Sequence, residues 1–288
     1  MAKLPIFRLN YSNYRVETYV NPNLKSDSQF HNIYSRICDS DQEKTNLICI
    51  DFKSQTPTDL QTLFHKFVAN PHGGRCPRLQ RFGGIYQKCC QYWDGHKFLC
   101  FSELMQDIKS NACLIYSFGV SGDWSFEKAM DDLGCRVLMF DPTVNYPKQL
   151  GNNISFEKIG VSAQSDDDKS FDTLSSILKN HGHTNTKITY LKIDIEGHEV
   201  DGLLEWLESG ALTNVQQLGL EFHLLNTETT LKFFHGLAKI YVESDFRLIS
   251  FDLNGCAGKV GDKYVEYAEI VLMRPSGGSI CIEKISAT

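Results

Sequence analysis

From Ala112 onward, short unbroken apolar runs alternate with longer segments whose apolar residues recur every three or four positions. The runs ACLIYSFG (112–119), CRVLMFD (135–141), ISFEKIGVS (154–162), ITYLKIDIE (188–196) and VQQLGLEFH (215–223) read as strands. Between them, DWSFEKAMDDLG (123–134), SFDTLSSILKNHG (170–182), HEVDGLLEWLESG (198–210) and TETTLKFFHGLAKIYVESD (227–245) read as helices. Asp123, Asp172 and Thr227 are placed to open three of them, and Gly134 to stop the first. FRLISFDL (246–253) and EYAEIVLMR (266–274) close the pattern as a pair of strands. Such alternation predicts an α/β fold in which helices cover both faces of a mostly parallel sheet of seven strands.

The first part of the chain is less regular. Residues 1 to about 45 are polar without a sustained period and predict a loosely structured arm. NLICIDF (46–52) suits a strand, and TDLQTLFHKFV (58–68) a helix with Leu60, Leu63, Phe64, Phe67 and Val68 on one face. RFGGIYQKCCQYWDGHKFLCF (81–101) suits two strands around a turn at Asp94-Gly95, and SELMQDIKS a short helix. The expected division is an N-terminal arm and extension, 1–75, and an α/β domain, 76–288, with a cysteine-rich lead-in at 76–100.

Charge narrows the function. A net charge of -6 without a cluster of Lys and Arg disfavours a nucleic-acid binder. No run of about 18 apolar residues exists and the start lacks a signal-peptide core, so the chain is expected to be soluble. A cytoplasmic location is the default, and the secretory pathway fits if the N-terminus extends further. Ten cysteines are present, without a CxxC pair, so no metal site is expected. Free, partly buried thiols are the expected state, with a Cys90–Cys100 disulfide as the alternative; Cys49, Cys113 and Cys135 read as small core residues.

Ligands of open parallel sheets sit beyond the carboxyl ends of the strands. There the first strand delivers the turn Ser117-Phe118-Gly119-Val120-Ser121-Gly122-Asp123, and the second delivers Asp141. An acid about 20 residues after a glycine turn suits the ribose of a nucleoside cofactor. The fourth strand ends in Asp194, Glu196 and Gly197, and the fifth in Glu221 and His223. Gathering these acids costs desolvation and like-charge repulsion, which points to Asp194, Glu221 and His223 as the catalytic group. Lys192 and Asp194 share a side of their strand and can pair. His198, in the first turn of a helix, is assigned a structural or solvent role.

YLKIDIEGHE followed by LGLEFH resembles the hallmark of FkbM-type methyltransferases, and VLMFDP resembles their acid-proline segment. The closer likeness is to the animal group typified by methyltransferase-like protein 24 (methyltransferase domain family 22). It is carried by Arg81-Phe82-Gly83-Gly84, Trp93-Asp94-Gly95 with Cys100, and Tyr116-Ser117-Phe118-Gly119. The resemblance implies a class I methyltransferase fold, a Rossmann-like three-layer sandwich with a reversed C-terminal hairpin, preceded here by an N-terminal extension. It also implies S-adenosyl-L-methionine as cofactor and O-methylation of a small molecule or sugar-like hydroxyl. Carried over by position, Gly119 and Gly122 border the methionine part, Asp141 the ribose, Ile159 and Gly160 the adenine, and Asp194 faces donor and acceptor. Ser117 stands where most such enzymes carry an acid that contacts the cofactor's amino group. Two rivals remain: a nicotinamide-dependent oxidoreductase, which calls for a GxGxxG turn this chain lacks, and a non-catalytic module that has lost its cofactor.

Overall fold

The computed structural model describes residues 6–10, 15–19, 35–36, 47–49, 56–69, 71, 76–255 and 267–274. Its centre is a seven-stranded sheet. The strands are β1 (Leu114–Phe118), β2 (Arg136–Phe140), β3 (Ile154–Glu157), β4 (Tyr190–Ile193), β5 (Gln217–His223), β6 (Arg247–Leu253) and β7 (Tyr267–Met273). Their order is β3-β2-β1-β4-β5-β7-β6. The first five run parallel, and β7 is antiparallel to both β5 and β6. This is the class I methyltransferase arrangement; the terminal pair of apolar runs forms the reversed final hairpin that the resemblance implies.

Alternation within the strands sorts the helices onto two faces. Leu114, Tyr116 and Phe118 of β1 point into the larger core, with Leu191 and Ile193 of β4. Helices α1 (Pro57–Val68), α4 (Leu174–Asn180), α5 (Glu199–Glu208) and α6 (Thr227–Glu243) cover that side. On the other side, Ile115, Val137 and Met139 meet α2 (Phe101–Lys109) and α3 (Ser125–Asp132). Helix α1 therefore belongs to the domain, although it precedes the expected boundary at residue 75. Its Phe64 packs edge-on against Phe222 and Phe233, and Phe67 against Tyr241. The helix starts fall one residue from the expected caps at three places: Trp124, Thr173 and Asn226 stand at the N-cap positions of α3, α4 and α6.

Two expectations upstream are corrected. In the N-terminal region Ile6–Asn10, Arg15–Tyr19 and Ser35–Arg36, where composition predicted a loose arm, pair with the expected strand at Leu47–Cys49 into a four-stranded sheet. Short β-branched and aromatic segments such as RVETY carry strand propensity that polarity averaged over 45 residues conceals. Nor is Asp94-Gly95 the hairpin turn. Leu79–Phe82 pairs with Lys97–Cys100 and Ile85–Gln87 with Tyr92–Asp94. Both ladders keep one register, from Leu79↔Cys100 and Phe82↔Lys97 to Ile85↔Asp94, so they form a single long hairpin with its tip at 88–91. The ladder is interrupted where Gly83, Gly84 and Gly95 adopt left-handed backbone. At this kink a Cβ on Gly83 would lie 2.5 Å from the backbone nitrogen of Phe126, and the Gly84 amide donates to Ser125 Oγ at 2.6 Å. The glycines thus dock the hairpin against the start of α3.

The expectation of free thiols is also overturned. Cys76 is bonded to Cys100 and Cys113 to Cys135, and Cys90 is disulfide-bonded as well, whereas Cys89 is free and exposed. Cys113 and Cys135 do sit in the core, but as a bridge across the starts of β1 and β2. Spacing along the chain could not reveal these pairs, because only the folded chain brings their Cα atoms to 5.6 Å (Cys76–Cys100) and 4.7 Å (Cys113–Cys135). Among the described residues no helix is long and apolar enough to cross a membrane. Non-reducing peptide mapping should recover the Cys76–Cys100 and Cys113–Cys135 cross-links. Breaking either one is expected to lower the unfolding free energy by about 2–4 kcal/mol in denaturant titrations.

Candidate functional site

At the carboxyl ends of β1, β2, β4 and β5 lies a cleft of about 790 Å³. This is where the strand order reverses, between β1 and β4. The glycine turn 119–122 forms one wall, Asp194, Ile195 and Glu196 another, and Ile85, Gln87, Asp94 and Gly95 of the hairpin a third. Gly119 is demanded by geometry: its φ is +72°, and a Cβ there would lie 1.5 Å from the carbonyl oxygen of Asp194. Only glycine lets the two strand ends approach so closely. Gly122 has open space around it, so its value is access and not fit.

Asp141 ties the second strand tip to this turn. Its Oδ2 accepts from the amides of Val120 and Ser121 at 3.0 and 2.9 Å, and its Oδ1 from the amide and hydroxyl of Thr143 at 2.7 and 2.6 Å. Burial works against its charge, but these bonds outweigh it and hold the carboxyl below its ordinary range. Asp141 lines the cleft as expected, with its acceptor sites engaged by the protein's own turn. Gly160 and Val161 also line the cleft; beside them Phe171 stacks on His198 with ring centroids 5.1 Å apart. Ile159 packs against the core instead.

The largest electrostatic feature is a row of acids. Asp194 follows Ile193, which pairs with Leu220; Glu221 is the next residue on β5 and pairs with Glu269 on β7, which pairs with Asp252 on β6. Four neighbouring strands therefore carry a carboxylate at one level. The hairpin supplies the answering charge. Lys97, 1% exposed, places its ammonium 3.2 Å from Asp194, 3.2 Å from Glu221 and in direct contact with Glu269. His96 and Tyr92 bond Asp252 at 2.8 and 2.6 Å. Gln217 fixes the hairpin strand over β5, its side chain bonding the Cys100 amide at 2.6 Å and carbonyl at 3.3 Å.

Burial opposes the charge of Lys97, yet Glu269, Asp194 and Glu221 outweigh it and raise its pKa. Three acids around one ammonium cannot all ionise freely, so they titrate as a group. Burial and the charges of Glu221 and Asp194 push Glu269 up against the pull of Lys97. Burial would also raise Glu221, but Lys97 and hydrogen bonds from its neighbours, Asn254 included, keep it low. Asp194 is pushed up to about 6, by burial first and by Glu221, against Lys97 and Lys192. The ammonium of Lys97 fills the space among Asp194, Glu221 and Glu269 that a divalent ion would take.

His223 joins the cleft from the end of β5. The buried carboxylate of Glu199 on α5 accepts from its backbone amide at 2.6 Å and meets Nδ1 at 3.1 Å; Glu196 lies 3.6 Å from Nε2. Burial would lower the imidazole pKa, but Glu199, Asp194 and Glu221 raise it to about 9. The ring is therefore a cation at neutral pH. Glu196 is 86% exposed and holds a left-handed φ of 55°. That conformation is rare for a residue with a side chain.

The structure brings Asp194, Glu221, His223, Gly119, Gly122, Asp141 and Gly160 to one cleft. Ser117 lies beneath it, fully buried and donating to Glu127 of α3. Residues not singled out from the sequence are Lys97, Glu269, Glu199 and Glu127. His198, assigned a structural role, lines the cleft.

A family model described as a methyltransferase domain matches residues 28–254. The probable methyltransferase-like protein 24 of Homo sapiens is 29% identical over 163 residues, which is 50% of this chain and 44% of that protein. Its Rattus norvegicus counterpart matches to the same extent. The chain thus aligns with less than half the length of these curated relatives. A crystal structure of WbdD, 10% identical, covers 60% of this chain and 39% of its own, with a TM-score of 0.33.

Replacing Lys97 by Met leaves three acids facing one another and is expected to cost about 3–5 kcal/mol of stability. Titration gives a second prediction. An imidazole raised from 6.5 to about 9 contributes stability that is complete below pH 6.5 and lost as the pH rises through 9. Melting temperature should fall across that window, and His223→Gln should flatten the fall. An unchanged profile in the variant would contradict the assignment.

Proposed function

The chain belongs to the methyltransferase domain family, and on that premise we propose that it is an active S-adenosylmethionine-dependent methyltransferase acting on a hydroxyl of a small-molecule or glycan acceptor. The observation that carries this reading is the charge of the cleft. Asp94, Asp123, Asp141, Asp194, Glu196 and Glu221 line it, against Lys192 and the imidazolium of His223. An acidic cleft attracts a sulfonium donor and repels the pyrophosphate of a nicotinamide dinucleotide. The residues fit the cofactor in shape as well. Gly122 leaves open space beside the turn, and Asp123 Oδ2 is buried without a partner. The Phe171–His198 stack beside Val161 suits an adenine ring.

When bound, S-adenosylmethionine supplies a methyl group on a positively charged sulfur. The protein must align an acceptor hydroxyl and take up its proton. Asp194, with a pKa near 6, is ionised at neutral pH and has the basicity nearest to that task. His223 is already protonated, so it orients the acceptor and balances Asp194 and Glu221 instead of serving as base. Lys97 holds both acids in place from beneath.

The acceptor side is supported by the hairpin. Tyr86 and Trp93 are exposed and stand edge to face at 5.8 Å, with the Arg81 guanidinium 5.0 Å over Trp93. Their neighbours Ile85 and Asp94 line the cleft. Exposed aromatic faces beside a polar cleft suit the C–H face of a sugar-like acceptor. The disulfides support work in an oxidising compartment, where such bonds persist.

Calorimetry with S-adenosylmethionine and NADH tests the proposal: heat is expected from the first alone, with or without EDTA. Heat from neither favours a binding module. With labelled donor and cell-extract acceptors, Asp194→Asn should lower transfer at least a hundredfold while cofactor affinity stays within a few-fold. Full activity in that variant would remove Asp194 from the chemistry. Trp93→Ala should raise the acceptor KM and leave the cofactor Kd unchanged.

A further inference from the structure

The two faces of the long hairpin carry opposite chemistry. Ile85, Gln87 and Asp94 turn toward the cleft, and Tyr92 reaches Asp252 on the sheet. Side chains alternate along a strand, so the cross-strand pair of Tyr86 and Trp93 faces the other way, on the outer side of the cleft wall. There the two residues are 46% and 40% exposed. Paired rings left in water add nothing to a core and mark a contact surface.

Arg81 completes this face. Its guanidinium lies 5.0 Å from the centre of the Trp93 ring. Such stacking holds a guanidinium in place and leaves its in-plane N–H donors free to bond an anion. Among the described residues no carboxylate pairs with it. Asp252, near enough to feel its charge, is already bonded by His96 and Tyr92. Arg78 stands over Phe101 in the same way at 4.6 Å, and Lys88 is exposed at the hairpin tip. The exposed charges of residues 76–100 are thus all positive, on a chain whose net charge is -6. The inner side of the same wall faces the acids Asp94, Asp194 and Glu221. A ligand that spans the wall therefore has to present a neutral group inside and a negative one outside.

We propose that the outer face of the hairpin is a docking subsite for an acidic glycan, with sugar rings stacked on Tyr86 and Trp93 and a carboxylate or sulfate paired with Arg81. The acceptor is then an anionic saccharide of more than one unit, draped over the rim at Ile85 so that a neutral hydroxyl reaches Asp194. The inference rests on the proposed glycan acceptor and adds its charge and the residues that read it.

The test is calorimetry on the full chain with a chondroitin sulfate hexasaccharide and with the same hexasaccharide desulfated and carboxyl-reduced. The charged ligand is expected to bind about tenfold or more tightly than the neutral one, with an advantage that shrinks as salt is added. Arg81→Gln should remove most of that advantage and leave the neutral ligand's affinity within about twofold. Trp93→Ala should weaken both ligands about tenfold, because ring stacking does not depend on the anionic group. Both variants should keep the melting temperature and the S-adenosylhomocysteine affinity of the unaltered chain. Equal binding of the two hexasaccharides, binding of neither, or an advantage that survives Arg81→Gln overturns the inference. So does a glutamate-rich peptide that binds as tightly as the charged hexasaccharide, which would make this face a protein-docking surface. If the charged hexasaccharide binds as expected and S-adenosylhomocysteine does not bind, the docking face stands and the methyltransferase reading fails.

Discussion

Lys97 is the interaction on which the site depends. Four neighbouring strands, with β7 antiparallel to its neighbours, bring Asp194, Glu221, Glu269 and Asp252 side by side at one level, and buried like charges repel strongly. One ammonium inserted from the opposite layer converts that repulsion into an ordered cluster. The insertion requires the long hairpin, the kink at Gly83, Gly84 and Gly95, the Gln217 clamp and the Cys76–Cys100 bridge. The lead-in is therefore part of the site, both as the carrier of Lys97 and as one wall of the cleft.

The same packing divides labour among the acids. Glu221 is held as a fixed anion, Glu269 is driven toward its neutral form, and Asp194 lies between them with a pKa near 6. Only Asp194 combines exposure to the cleft with a pKa near neutrality. His223 is poised the other way, kept cationic by Glu199 beneath it. Environments that pull neighbouring titratable groups apart are a mark of acid–base sites.

Much of this was legible in the sequence. The alternation after Ala112 specified seven strands, since parallel strands read as apolar runs and helices as stripes, whereas the reversal of the final hairpin came only with the family resemblance. Asp194, Glu221 and His223 could be placed together because strand ends define the ligand edge. Glu269 left a signal too: a lone acid inside the apolar run YAEIVLM is costly unless paired. Lys97 left none, because its partners lie 97 to 172 residues away and only the hairpin register brings them together. Glu127 was hidden for a similar reason, since the rotation of α3 about its axis decides whether it faces solvent or Ser117. The disulfides depend on tertiary packing, which cysteine spacing does not encode.

The most direct measurement is a crystal structure of the chain with S-adenosylhomocysteine. The account predicts the ligand between the glycine turn and Asp194, its adenine beside Phe171 and His198, and Lys97 still bridging Asp194, Glu221 and Glu269. A ligand bound elsewhere, or a site in which Lys97 is displaced by a metal ion, would contradict it.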